Sequence, residues 1–264
     1  MDGLLGVLQT ALQRATDMVC VGLSHPGSVD TANLRMAGSF LNFVPAQQQR
    51  PNSDAVVRDF RVWAVGCGLR DCVEATNVFL EQLRFACAMY WLAGKGQFTG
   101  ADYHETLGPK PAKRFHRLGL PYKISHLAEE YEFTLPGQYC EQVLSLNQAR
   151  NCLVHRSGVV SAQDTNLDDR LRLLWEKPEL VVLRQDGDVV VSETTFLHAG
   201  EKVGMRCRPT ERIFVAGDIL ALSSAEFTEF CWTFFQFGRA CISTLDDYGA
   251  ARGVQKADPP QSTT

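Results

Sequence analysis

No stretch of these 264 residues approaches the ~20 uninterrupted apolar positions that a membrane-spanning helix needs, so we expect a soluble protein without a membrane partner. No CxxC pair occurs among the nine cysteines. Their odd number and apolar settings argue against a disulfide framework and for buried thiols in a reducing cytoplasm. Excess positive charge is missing too: 26 Lys and Arg against 30 Asp and Glu leave −4, which excludes a chain-wide field for wrapping nucleic acid. Contact with RNA or DNA then has to be local. The start, MDGLLGVLQTALQR, lacks the basic residues of an export signal; Asp2 stands there, and Gln9, Gln13 and Arg14 interrupt the apolar run. What is present is an ordinary globular balance, 45% hydrophobic against 21% charged, enough to build a core and too apolar for a solvated chain.

The apolar residues are spaced mostly for helices. Leu4, Leu5, Leu8, Leu12 and Ala15 recur at three- and four-residue intervals over 3–20, and a shorter helix is expected over 30–43 before Pro45. From the N-caps Ser53 and Asp54 a long run continues to Leu92 through Phe60, Trp63, Cys67, Val73, Leu80 and Leu83, with Gly66 and Gly68 expected to kink or divide it. Residues 94–120 carry short helical pieces at most. Helices follow over 121–131 and 137–156. The period then changes, because ELVVLRQ and DVVVSE flank Asp186-Gly187, a strong hairpin signal, with LRLLWE before them and MRCR and RIFVAG after. Phe227, Phe230, Phe234, Phe237, Cys241 and Leu245 restore the helical spacing. The expected fold is mainly α, a helical bundle with a small antiparallel β insertion before the last helix. Its expected parts are an N-terminal helical segment (1–50), a helical core (51–160), the insertion (168–217), a closing helix (222–248) and a disordered tail (249–264).

The helix at 137–156 carries the chemistry. At about 100° per residue, Tyr139, Val143, Leu146, Leu153 and Val154 fall within roughly 60° of Arg150, which places this arginine in the middle of an apolar face. Asn147, Asn151 and His155 form an adjoining polar stripe at i, i+4, i+8. A guanidinium so placed keeps its charge and needs an acid, backbone acceptors or a phosphate. One solution is structural: Glu74 or Asp71 of the long helix pairs with Arg150, and His155 caps the helix end. The other is functional, with Arg150 holding a phosphodiester, His155 moving protons near neutral pH, and Asn147 and Asn151 orienting a sugar hydroxyl or the imidazole.

The stretch LNQARNCLVHRSGVV resembles the R-x4-H motif of the HEPN superfamily, with Arg150, a polar Asn151, an apolar pair, His155 and a glycine turn in that order. The resemblance spans about 15 residues. It implies a HEPN-like bundle and a metal-independent endoribonuclease of toxin or phage-defence type, usually a homodimer whose two motifs face one cleft. Carried over, Arg150 binds the scissile phosphate, His155 transfers protons at the 2′-hydroxyl or the leaving 5′-oxygen, and Asn151 positions them. RNA is then the substrate, the products carry 2′,3′-cyclic phosphates, no cofactor or metal is needed, and an antitoxin or regulatory partner is a further expectation. His155 is followed by Arg156-Ser157, so the variant with a tyrosine two places after the histidine is absent. The alternative function is a non-catalytic HEPN-like dimerisation or nucleotide- or RNA-binding module.

Lys110, Lys113, Arg114, His116, Arg117 and Lys123 have no acid among them, and Lys113, Arg114 and Arg117 are the candidates for guiding RNA. Glu74 and Asn77 are candidates to support Arg150 from the long helix. Cys152 and His155 lack a second ligand pair for zinc. Gly66-Cys67-Gly68 reads as close helix packing, and GKGQFTG fails the phosphate-loop spacings.

Overall fold

The computed structural model describes residues 2–24, 53–165, 168–184, 187–192 and 194–254; the helix expected over 30–43 lies outside them. Among the described residues are α1 (Asp2–Ser24), α2 (Ser53–Gly94), α3 (Gly100–Leu107), α4 (Pro109–His116), α5 (Leu120–Tyr131), α6 (Gly137–Arg156) and α7 (Ser224–Ala251). Between α6 and α7 run β1 (Arg170–Leu183), β2 (Val189–Val190) and β3 (Lys202–Val215). The chain is thus mainly helical, with a small three-stranded antiparallel sheet before the last helix. None of these helices is long and apolar enough to cross a membrane.

The bundle core is built on α7. Ser223 and Glu226 form a capping box that satisfies the first amides of the helix, and Phe227, Phe230, Phe234 and Phe237 then bury one face completely. Leu8, Leu12 and Val19 of α1 join the same core as Leu69, Leu80 and Leu83 of α2. The first helix therefore packs into the same core as the bundle. At its far end α7 continues to Ala251, past the expected stop at 248; the tail from 255 lies outside the described residues.

Gly66 and Gly68 do not divide α2, which runs unbroken for 42 residues. Their role is packing. A Cβ on Gly68 would stand 2.6 Å from both the Phe227 ring and the Val19 side chain, and one on Gly66 would stand 3.2 Å from the Leu153 Cβ. The missing side chains let α1, α6 and α7 approach α2, and this gain outweighs the ~1 kcal/mol that glycine costs inside a helix. Gly68→Ala should therefore lower stability by about 2 kcal/mol, because overpacking exceeds the gain in helix propensity; a urea midpoint unchanged or raised would contradict this packing role.

The short strands expected from the sequence merge into a ribbon, with β1 and β3 in continuous register from Arg170↔Val215 to Leu183↔Lys202. The sheet order is β2-β1-β3, and β2 pairs only with Val181 and Val182. Pro178 of β1 thus lies outside the β2 pairing and Pro209 sits on the edge strand β3, so neither removes a donor from a strand paired on both sides. At the expected Asp186-Gly187 turn, Gly187 has φ +126° and its amide donates to the Arg184 carbonyl, 3.2 Å away; 185–186 lie outside the described residues.

Polar side chains fasten this ribbon to the bundle. Ser145 of α6 accepts from the Leu174 amide at 2.9 Å, the Glu176 amide donates to the Thr233 hydroxyl at 2.9 Å, and the Trp175 indole donates to Glu229 at 2.6 Å. Buried Glu176 itself accepts from Gln138 and Gln142 of α6. The turn after α6 is tied to the entry of α7 by Val160–Asp218, Gly217–Val160 and Leu220–Gly158 backbone bonds of 2.7–2.9 Å.

Candidate functional site

Fastening α6 to β1 sets which way Arg150 points. The residues buried on α6 are Gln142, Val143, Ser145, Leu146, Ala149, Cys152 and Leu153. They centre near Ala149, about 100° round the helix from Arg150. Arg150 therefore stands at the rim of the buried face and not in its middle, as the apolar spacing alone suggests. The difference comes from Gln142 and Ser145. As polar side chains they do not register in a hydrophobic pattern, yet they are buried because the sheet supplies their hydrogen-bond partners.

At that rim the guanidinium is 20% exposed and incompletely compensated. Nη1 donates to the Asn151 carboxamide oxygen at 2.9 Å, Nη2 lies 3.4 Å from a Glu74 carboxylate oxygen, and Nε is buried with no partner among the described residues. Glu74 is 61% exposed, so solvent screens it and the pair adds at most about 1 kcal/mol. Asp71, the other acid expected within reach, faces Arg14 and Arg70 instead. Asn77 stands one turn beyond Glu74 on α2, and its carboxamide oxygen is also buried without a partner among the described residues.

His155 occupies the last turn of α6, is exposed, and makes no hydrogen bond or ion pair among the described residues, so it does not cap the helix. Five positions beyond Arg150, it lies about 7.5 Å along the axis and about 140° around it. Among the described residues nothing joins the two side chains. Asn147 lines a separate groove of about 320 Å³ with Pro121, Leu144, Gln148, Arg172 and Leu174. The structure thus brings Asn151 and Glu74 to Arg150, places Asn77 on the adjoining turn, and leaves Asn147 and His155 to either side.

The basic segment is partly rearranged. Lys113, Arg114 and Arg117 are exposed and form no ion pair among the described residues. Lys123, counted with them from the sequence, is only 2% exposed, its Nζ 2.8 Å from Glu81, which also meets His116 Nδ1 at 2.9 Å. An all-basic run conceals this partner because Glu81 lies on α2, 42 positions away. Glu81 stands two turns from Glu74 on the same side of α2, so Arg150 and the basic segment flank one ridge about 10.5 Å apart along its axis. Burial raises the Glu81 carboxyl, but Lys123 and His116 outweigh it and hold it below the ordinary carboxylate range. Its contribution is thus complete above the unfolded value near 4.3 and fades as pH falls through the lower folded value. Glu81→Gln should cost about 2 kcal/mol at pH 7 and less at pH 3, since it leaves the Lys123 ammonium buried without its acid. Urea unfolding at the two pH values measures this; an equal loss at both would contradict the ion-pair role.

Two features escape the sequence pattern. Arg156 clasps buried Asp164, donating from Nε at 2.6 Å and again from Nη2, while the Ser161 amide and hydroxyl donate to the same carboxylate at 2.9 Å. This holds the loop leaving α6 directly behind His155. The S-x-x-D spacing of Ser161 and Asp164 is the one signal the sequence carries for it. The second feature is an apolar stripe on α2: Phe60, Trp63, Val78, Phe85 and Met89 are all exposed, Trp63 by 63%, on the side that carries Glu74.

The C-x2-H spacing holds no metal site, because Cys152 is fully buried while His155 faces solvent, and burial pushes the Cys152 thiol up to about 11. Among the described residues no three His, Cys, Asp or Glu side chains gather as a metal-holding group. Compared with protein-family models, with curated proteins and with solved structures, the chain matches none.

Proposed function

We propose that this chain is a metal-independent endoribonuclease of HEPN type, acting in a defence or toxin setting and cleaving RNA by attack of the 2′-hydroxyl on the adjacent phosphate. The observation that carries this reading is Arg150, a guanidinium at the rim of the core whose buried Nε lacks an acceptor among the described residues and whose one acid, Glu74 at 3.4 Å, is screened by solvent. Such a group favours an incoming phosphodiester. Arg150 binds the scissile phosphate and stabilises the charge that builds on it, with Asn151 holding the guanidinium plane. His155, free in solvent, transfers the proton at the 2′-hydroxyl or the 5′-oxygen. Products carry 2′,3′-cyclic phosphate and 5′-hydroxyl ends, and DNA, which has no nucleophile at that position, is inert.

Because Arg150 and His155 diverge by about 140° on α6, one helix does not present both to a single phosphate, and a second copy across a shared cleft completes the site. The exposed stripe of α2 supports this assembly, since residues i, i+4, i+11 and i+15 from Glu74 follow the spacing of helices that pair along their length. Lys113, Arg114 and Arg117 then guide the RNA backbone, and Asn147 meets the sugar or base beyond Arg150.

The Arg150–Glu74 contact is also what a non-catalytic dimerisation or RNA-binding module would need. A digest of single-stranded RNA in excess chelator separates the two readings. Cyclic phosphate ends, intact DNA and a homodimer by sedimentation support the nuclease. A strict monomer, or cleavage equal to that of Arg150→Ala and His155→Ala, overturns it.

A further inference from the structure

A close pair of thiols lies away from Arg150, between α2 and α7. The Sγ atoms of Cys72 and Cys231 stand 3.7 Å apart, within sulfur hydrogen-bond range, and belong to residues 159 positions distant in sequence. Cys72 is fully buried. Cys231 is 7% exposed and lines a cleft of about 540 Å³ whose walls include Leu12, Thr16, Trp232 and Phe235. One thiol is therefore reachable from solvent through the cleft, and the other waits behind it.

We propose that Cys231 and Cys72 form a peroxide-sensitive dithiol, with Cys231 as the attacked thiol, Cys72 as the resolving thiol, and a disulfide between α2 and α7 as the product. In the first step the Cys231 thiolate attacks one oxygen of hydrogen peroxide, the O–O bond breaks, and hydroxide departs, leaving a sulfenic acid. In the second, Cys72 loses its proton and attacks the Cys231 sulfur, the S–O bond breaks, and hydroxide takes up that proton to leave as water. Two thiols and one peroxide thus give one disulfide and two waters; the dithiol loses two electrons and the peroxide gains them.

The division of labour follows from the surroundings. The hydrogen bond from Cys72 lowers the Cys231 thiol against the opposing effect of burial, whereas Cys72 is driven up by that same bond and by burial. Cys87, Cys140, Cys152 and Cys241 are all pushed upward by desolvation, which keeps them protonated and inert. The cleft admits a small neutral oxidant, and closing 3.7 Å to the ~2.05 Å of a disulfide asks for side-chain rotation and a slight approach of two packed helices. Exposed Cys207, whose sulfur accepts from the Trp232 indole at 3.2 Å, is the natural competitor at this surface.

The test treats the full-length chain with hydrogen peroxide, alkylates remaining thiols and maps peptides without reductant. The expected result is a cross-linked peptide joining Cys72 and Cys231, persisting in Cys207→Ser, with a melting temperature several degrees higher that reverts on reduction. Cys72→Ser should stall at the sulfenic acid, captured on Cys231 by dimedone. The wild-type map decides the matter without any variant: Cys72 recovered as a free thiol, or Cys231 joined to Cys207, overturns the proposal.

Discussion

His155→Ala should reduce RNA cleavage by about 10²–10⁴-fold, the range set by loss of a positioned proton-transfer group. The fold should hardly notice. His155 is exposed and has no partner among the described residues, so the stability change stays within about 0.5 kcal/mol and the melting temperature within about 2 °C. Arg150→Ala should cost a comparable 10²–10³-fold by removing charge stabilisation at the phosphate. Arg150→Lys should recover little of it, because an ammonium does not reproduce the planar fork that reaches Asn151 and a phosphate together. Single-turnover cleavage of a labelled RNA, with thermal melts of each variant, reads both quantities. Activity retained by folded His155→Ala would remove the nuclease reading and leave the binding module.

The largest loss of stability is expected at Asp164. Its carboxylate is fully buried and takes hydrogen bonds from Arg156 and Ser161, so Asp164→Ala strands a guanidinium and leaves a backbone amide unsatisfied. Breaking such a pair costs about 3 kcal/mol, at the low end of the range because Arg156 keeps part of its side chain in solvent. Burial by itself raises the Asp164 carboxyl, but Arg156 and Ser161 more than reverse it and hold it below the usual range. The contribution is therefore full above the unfolded value near 3.9 and disappears as pH falls through the lower folded value. Urea denaturation at pH 7 and pH 3 measures it: a large loss at pH 7 that shrinks in acid is expected. A loss equal at both would mean that packing, not charge, holds the loop. Since this loop follows directly from the turn carrying His155, cleavage per folded molecule should also fall in Asp164→Ala.

Local spacing made α6, α7 and most of α2 readable, because a helix repeats its burial every three or four residues and Leu146, Leu153, Phe227 and Phe234 obey that repeat. The ribbon was readable as strands but not as two continuous ones. Pro178 and Pro209 look like breaks until one knows that both stand where no neighbour needs their missing amide. Gly66 and Gly68 misled only as an expected break in α2; their reading as close helix packing holds, since the two glycines admit Leu153 and Phe227. Phe60 and Trp63 fit the apolar run of α2 yet face outward. A helix that is apolar on several sides does not declare which side its neighbours will cover.

From the order of residues alone come the helix-forming periods, the antiparallel insertion, and the adjacency of Arg150 and Asn151 with His155 on the same final turns, all of which depend on backbone geometry within a few residues. Tertiary structure decided that Arg150 sits at a rim beside Glu74, that Lys123 is spent on Glu81, that Arg156 belongs to Asp164, and that Cys72 meets Cys231. Three of these outcomes are set by which surfaces the packed helices bring within a few ångströms, a long-range quantity that no local period encodes; the Arg156–Asp164 pair, eight positions apart, is set by how the loop after α6 folds back.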